Sequence, residues 1–237
     1  MNRPTTRQRP ARPTRGGRAT SPAVAKPRKL GPLVGTGVLA ALALTGLFFA
    51  FRSGQHTNSS SVGSHRFQVG QPAAGQPAPS FSLAASTGQP VSLASYRGKS
   101  VLLFFQEGIG CQPCWDQIRD LEKSSSTLQK AGIDDIVSIT TSPADLVAQK
   151  VRDDHLSTPV LSDPDVSVSR AYNANMYGMM GDSRDGHSFV LVGPDGMIKW
   201  RADYGGAPNY TMYLPVDRML SDMRTAMSEA GSTQSSP

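Results

Sequence analysis

The sequence predicts an α/β protein with a mixed central sheet flanked by helices, preceded by one N-terminal transmembrane helix. Three observations lead to this prediction. Apolar runs and amphipathic segments alternate between residues 101 and 171, which is typical of strands and helices around a parallel sheet centre. A Pro-Asp-Gly turn at 194–196 joins two apolar runs and predicts additional antiparallel strands. Residues 31–51 form an uncharged apolar run.

The prediction of a transmembrane helix depends on the N-terminal region of the sequence. Residues 1–30 contain nine Arg or Lys and no acidic residue, which predicts a disordered basic tail. The run 31–51 has the length that a helix needs to cross a bilayer of roughly 30 Å. Because basic flanks stay in the cytoplasm, we expect a single-pass protein of the cell membrane with an extracytoplasmic domain. A cleaved signal peptide is the alternative, but the run is long and no small-x-small site ends it.

The rest of the chain divides into three parts. Residues 52–75 are rich in Ser, Gly and Gln and predict a flexible linker, residues 76–230 have the pattern of one globular domain, and residues 231–237 predict a disordered tail. Ten of the 24 Lys and Arg precede residue 53, so the outer part has 14 of them against 18 Asp and Glu. This balance leaves no basic patch, and we expect no nucleic-acid partner.

The globular region begins with a predicted hairpin, FSLAAS and PVSLASY, followed by VLLFF, an apolar run suited to a strand buried on both faces. The pattern then predicts, in order, a helix in WDQIRDLEKSSSTLQKAG, a strand in DIVSIT, a helix in SPADLVAQKVRDD, a strand in TPVLSD, a short helix in DPDVSVSRAY and the Pro-Asp-Gly hairpin. The last helix, PVDRMLSDMRTAMSEA, spaces Met219, Met223 and Met227 four residues apart, which favours core packing.

The chemistry centres on the only two cysteines, Cys111 and Cys114, which follow a buried strand and begin a helix. A helix N-terminus stabilises an anion, so we expect a lowered pKa for the Cys111 thiol and a nucleophilic thiolate. The thiolate is the attacking species in disulfide exchange. Cys114, one turn further on, would resolve the product, and Pro113 would stiffen the loop.

Other roles for the pair fit less well. A structural disulfide across two residues closes a very small loop and adds little stability. A structural zinc site needs about four ligands, and the chain has no second cysteine pair. We therefore predict a redox-active Cys111–Cys114 disulfide with no cofactor. Because the outer face of a membrane is oxidising, the predicted partners are exported protein thiols or disulfides and a membrane electron donor.

Three segments resemble a known family. The stretch GQPAPSFSLAASTGQPVSLASYRGKSVLLFF resembles the opening of redoxins of the alkyl hydroperoxide reductase/thiol-specific antioxidant (AhpC/TSA) group and of their membrane-tethered TlpA-like relatives. TPVLSDPDVSVSRAYN and FVLVGPDGMIKW resemble later segments of the same group. The resemblance implies a thioredoxin-like fold and an antioxidant or thiol-disulfide oxidoreductase.

The active loop departs from the peroxidases of that group, which carry P-x-x-x-T-x-x-C. Here QEGIGC precedes the CxxC motif, without the Pro and Thr that help to bind peroxide. An Arg expected just before the penultimate strand is replaced by DGHSF. Thiol-disulfide exchange is therefore our first functional hypothesis, and a peroxiredoxin-like thiol peroxidase is the second.

Further residues are candidates for the site. Glu107 lies in the active loop and is a candidate base for the buried cysteine. Trp115 is expected to cover the site or to pack in the core. His187, just before SFVLV, is a candidate acid or base, or a third ligand with Cys111 and Cys114. The layout resembles copper-delivery proteins of the Sco type, so a copper chaperone is the third hypothesis.

Two loops are candidates for lining the site. Residues 173–186 are rich in Met and Gly and predict a loop for docking a partner or a substrate. Residues 203–215 contain three tyrosines and predict a second flanking loop.

Overall fold

The computed structural model describes residues 67–233. Its strands are β1 (Ser82–Ala85), β2 (Val91–Ser92), β3 (Val101–Gln106), β4 (Asp135–Thr140), β5 (Val160–Ser162), β6 (Ser188–Val192) and β7 (Ile198–Asp203). Its helices are α1 (Gln112–Lys123), α2 (Ser125–Lys130), α3 (Ala144–Asp153), α4 (Ser167–Ala171) and α5 (Val216–Thr233), with 3-10 turns at Leu93–Tyr96, Ala174–Met176 and Gly181–Ser183.

The strands form one mixed sheet in the order β2-β1-β5-β4-β3-β6-β7. Strands β3, β4 and β5 run parallel, whereas β1, β2, β6 and β7 pair antiparallel with their neighbours. This arrangement confirms the predicted mixed sheet, with the parallel centre and both hairpins. Since β3 is central, all six of its residues are buried, as the continuous apolar run predicts.

Two apolar clusters cover the two faces of the sheet. One contains both cysteines, helix α1 and the inward face of α5, and the other lies beneath β1 and α4. Met219 and Met223 are buried in the first cluster, but Met227 is 43% exposed, so the predicted methionine stripe packs only in part.

The helix predicted after the cysteines is interrupted. It ends at Lys123, and α2 begins at Ser125 after a break at Ser124. The Ser-rich segment SSST lowers helix propensity there because serine side chains compete with the backbone for hydrogen bonds.

Residues 67–75, predicted as the end of the flexible linker, pair with β7. Gln68 forms a two-way backbone bridge with Asp203, and the Gly75 amide donates to the Ile198 carbonyl at 2.8 Å. The Arg201 and Asp203 side chains, both fully buried, form an ion pair beneath this segment. The ordered part of the domain therefore begins before residue 76.

The segment predicted to span the membrane is not among the described residues. Across residues 67–233, every helix is too short or too polar to span a bilayer. The predicted tail 1–30 and span 31–51 lie outside the described residues, as does residue 234 onward.

Candidate active site

The two cysteines form a disulfide at the start of α1. Their Cα atoms are 5.4 Å apart, Cys111 occupies the N-cap position, and Pro113 lies in the first turn. Cys111 retains 7% exposure, whereas Cys114 has none. An attacking molecule therefore reaches Cys111 first, and Cys114 lies behind it in the apolar core.

The loop before the disulfide is fixed by Gly108. Its φ is +104°, and a Cβ built there would lie 2.0 Å from Ser142 Oγ, so only glycine fits. The Gly108 amide donates to Gln106 Oε1 at 3.0 Å, and the Ile109 amide donates to Ser142 Oγ at 3.1 Å. The carboxyl ends of β3 and β4 thus hold the active loop.

Trp115 supports the same loop from below. The side chain is fully buried, and its Nε1 donates to the Gly108 carbonyl at 3.1 Å. Lys150 Nζ lies 5.6 Å from the ring centroid on the α3 side. Trp115 therefore both packs in the core and positions the loop that precedes Cys111.

Glu107 is buried, with 8% of its surface exposed, and its Oε1 accepts a hydrogen bond from the Met179 amide at 3.0 Å. The bond joins the active loop to the predicted docking loop 173–186. It goes to the backbone of that loop rather than to either cysteine, so the geometry assigns Glu107 a loop-fixing role first.

His187 lies before β6 in an aromatic cage. Its ring is fully buried and meets Phe104 at 4.8 Å, Phe189 at 5.1 Å and Tyr204 at 6.3 Å between centroids. Phe104 and Phe189 belong to the apolar cluster that contains both cysteines. Burial lowers the pKa of His187 to about 3, and the Met212 backbone opposes this shift. The imidazole is therefore neutral at physiological pH.

The alternative copper site is not assembled here. Within residues 67–233 no three His, Cys, Asp or Glu side chains are grouped so as to hold a metal ion. Cys111 and Cys114 bond to each other, and His187 faces aromatic rings. Cys111 and Cys114 therefore form a disulfide, and the His187 imidazole packs among aromatic rings.

Sequence reasoning missed two buried polar groups near the site. Gln106, the last residue of β3, is fully buried, and its Nε2 has no partner among the described residues. Asp185 is equally buried, and burial raises the pKa of its carboxyl well above the ordinary value, with the Asp163 charge adding to the effect. The signal for Gln106 was a polar residue at the end of an otherwise apolar strand.

A cleft of about 370 Å³ opens along α1 and includes Pro113, which lies between the two cysteines in the chain. It is lined by Pro113, Asp116, Arg119, Asp120, Lys123 and Tyr213. Tyr213, from the predicted flanking loop 203–215, donates a hydrogen bond to Asp120 of α1. This loop therefore lies against the first helix next to the cysteines, as the sequence suggested.

Comparisons with known proteins point to one family. A model of the AhpC/TSA family matches residues 74–201. The chain is 30% identical over 129 residues to the peroxiredoxin Bcp of Escherichia coli strain K12, covering 53% of this chain and 82% of that one. It is 33% identical over 129 residues to a Mycobacterium tuberculosis protein named as a candidate peroxiredoxin, covering 52% and 80% of the two chains.

Solved structures share the fold. The crystal structure of the peroxidoxin BcpB from Mycobacterium tuberculosis has a TM-score of 0.54 at 19% identity and covers 65% of this chain and 97% of that one. The reduced 2-Cys peroxiredoxin of Plasmodium vivax has a TM-score of 0.53 at 21% identity, covering 67% and 83%. These matches confirm the thioredoxin-like fold.

Proposed function

Because the chain belongs to the AhpC/TSA family and is a thiol-dependent oxidoreductase, we propose that it reduces hydroperoxides through Cys111 and Cys114. The observation that carries the proposal is the disulfide itself, with one partner at the surface edge and the other fully buried. The sequence alone favoured thiol-disulfide exchange. Relatives named as peroxiredoxins favour the second hypothesis, peroxide reduction, as the main activity.

The proposed reaction uses both thiols. The Cys111 thiolate attacks the peroxide, the O–O bond breaks, and an alcohol or water leaves while Cys111 becomes a sulfenic acid. The Cys114 thiol then attacks the Cys111 sulfur, which releases water and forms the disulfide. Each peroxide is reduced by two electrons, and the dithiol is oxidised by two.

The surroundings of the pair support this sequence of steps. The N-terminus of α1 stabilises negative charge on Cys111. Burial lowers the pKa of His187, so the ring is neutral and adds no positive charge to the site. We assign His187 to packing against Phe104 and Phe189, which belong to the apolar cluster of the two cysteines, and Glu107 to fixing the loop.

A second activity, thiol-disulfide exchange with proteins, returns the enzyme to its dithiol form. The CxxC spacing and the residual exposure of Cys111 favour it, since an incoming thiolate needs access to the more exposed sulfur. We propose that residues 31–51 anchor the chain in the cell membrane with the domain outside, where exported proteins and a membrane electron donor supply or receive electrons.

The test uses the full chain, reduced and freed of reductant. We expect one equivalent of hydrogen peroxide to be consumed per Cys111–Cys114 disulfide formed, measured by thiol titration and mass shift after alkylation. Cys111→Ser should abolish consumption, and Cys114→Ser should consume peroxide once without forming the disulfide. Unchanged consumption by Cys111→Ser would refute the proposal. A protein disulfide reacting faster than peroxide would make exchange the main activity.

A further inference from the structure

Methionines in the loop 173–186 differ in exposure from those of the core. Met176, Met179 and Met180 are 64%, 55% and 54% exposed, and we call these three residues the methionine patch. By contrast, Met219 and Met223 of α5 are almost fully buried. Methionine sulfurs on side chains this exposed are open to oxidants in solution, whereas those of the core are shielded.

The patch is held beside the active loop. The Met179 amide bonds to Glu107, four residues before Cys111 along the chain. The base of the loop is closely packed, because a Cβ on Gly186 would lie 1.3 Å from the Tyr177 carbonyl oxygen. Ile109, between Glu107 and Cys111 in the chain, is itself an apolar residue with 37% exposure.

We propose that the methionine patch is an oxidative modification site: hydroperoxides convert its thioethers to sulfoxides once the cysteines are oxidised, and this hinders protein reductants from reaching Cys111. The chain has two cysteines, and both are consumed in the disulfide. When peroxide remains after the reductant has been used up, the protein has no free thiol left to react with it. Exposed methionine sulfur is then the next oxidisable side-chain group.

The step balances without another reactant. The thioether sulfur attacks one peroxide oxygen, the O–O bond breaks, and the second oxygen leaves as water or alcohol after taking a proton. Sulfur is oxidised by two electrons, and the peroxide is reduced by two. The flexible apolar side chain becomes a polar one.

The consequence for exchange rests on the proposed function. A protein that reduces the disulfide must approach Cys111 past the active loop, whereas a small dithiol needs much less surface. Three polar sulfoxides at the patch weaken apolar contacts with the protein and leave the small dithiol unaffected.

The experiment uses the full chain in its disulfide form, treated with hydrogen peroxide and then freed of it. Peptide mass spectrometry should show a gain of one oxygen on each patch methionine at least tenfold faster than on Met219 and Met223. Reduction by thioredoxin should then slow at least threefold, while reduction by dithiothreitol stays unchanged. The combined variant Met176→Leu, Met179→Leu, Met180→Leu should lose this slowing.

Met227→Leu is the matched control, since Met227 is exposed on α5 outside the patch. It should retain the slowing. Oxidation of the patch no faster than of the buried methionines overturns the modification site. Full oxidation without slower reduction by thioredoxin overturns the hindrance. Failure of untreated protein to consume peroxide would instead count against the proposed function, because the mass shifts are measured without any turnover.

Discussion

Two buried polar assemblies in this domain are built in opposite ways. Arg201 and Asp203 on β7 form a bidentate pair at 2.9 and 3.0 Å, and the Gly70 amide donates to the same carboxylate at 2.7 Å. His187 and Asp185, just before β6, are equally buried. Within residues 67–233, the imidazole nitrogens and carboxyl oxygens of this second pair make no hydrogen bond of normal geometry, although the Met212 backbone and the Ser169 side chain lie close enough to act on the two pKa values.

The difference separates structural from functional burial. In the first assembly, desolvation of two charges is offset by mutual attraction and further hydrogen bonds, and the pair locks the N-terminal segment onto the sheet. In the second, the cost of desolvation is met by a change of protonation state, so His187 is neutral and Asp185 holds its proton more tightly. Uncompensated polar groups of this kind concentrate at active sites.

We expect the largest loss of stability from removing one partner of the buried Arg201–Asp203 ion pair. Asp203→Ala leaves the Arg201 guanidinium buried without its counter-charge, and we expect the free energy of unfolding to fall by about 3 to 5 kcal/mol. Denaturant titration followed by tryptophan fluorescence would measure it. The control Asp195→Ala breaks the exposed Lys199 ion pair and should lower the free energy of unfolding far less. Equal losses would contradict the distinction.

Some of these features could be predicted from sequence and some could not. The strand VLLFF and the cysteines at a helix start follow from local apolar patterns, which the structure confirms. The Arg201–Asp203 lock depends on partners about 130 residues away, and local periodicity contains no such information. Likewise, Asp185 and His187 follow a Gly-rich polar stretch typical of a surface loop, so tertiary packing alone determines their burial.

The second prediction concerns the buried His187 imidazole and the dependence of the free energy of unfolding on pH. The folded pKa of His187 is about 3 and the unfolded value is 6.5, so the unfolded chain binds more protons between them. Stability contributed by the neutral imidazole is therefore complete above pH 6.5 and is lost as pH falls, by up to about 1.4 kcal/mol per pH unit. His187→Gln should remove about 2 to 3 kcal/mol of the loss between pH 6.5 and 4.5.

Denaturant titrations at several pH values measure this slope. The control His155→Asn replaces an exposed histidine and should retain the slope of the parent protein. If His187→Gln kept the pH slope of the parent protein, protonation of the His187 ring in the parent would cost no stability. That result would contradict the burial of the ring among aromatic side chains.

Asp185 should show the opposite dependence on pH. Its folded pKa is raised by burial, so its stabilising contribution is present below the unfolded value of 3.8 and is lost as pH rises. Asp185→Asn cannot titrate, and we expect its free energy of unfolding to exceed that of the parent at pH 8. The gain should vanish near pH 4. The exposed control Asp182→Asn should give no such gain at either pH.

The smallest expected effect is the difference in stability between variants of two buried tryptophans, one with a hydrogen-bond partner and one without. Trp115 Nε1 donates to the Gly108 carbonyl, whereas Trp200 Nε1 has no partner among the described residues. Replacing each with Phe removes similar apolar area, but only Trp115→Phe breaks a hydrogen bond, and it leaves the Gly108 carbonyl with the Cys111 amide as its remaining donor. We therefore expect Trp115→Phe to cost about 1 kcal/mol more than Trp200→Phe in denaturant titration. Since Gly108 precedes Cys111, only Trp115→Phe should also slow peroxide consumption, and equal rates in the two variants would show that this bond does not position the active loop.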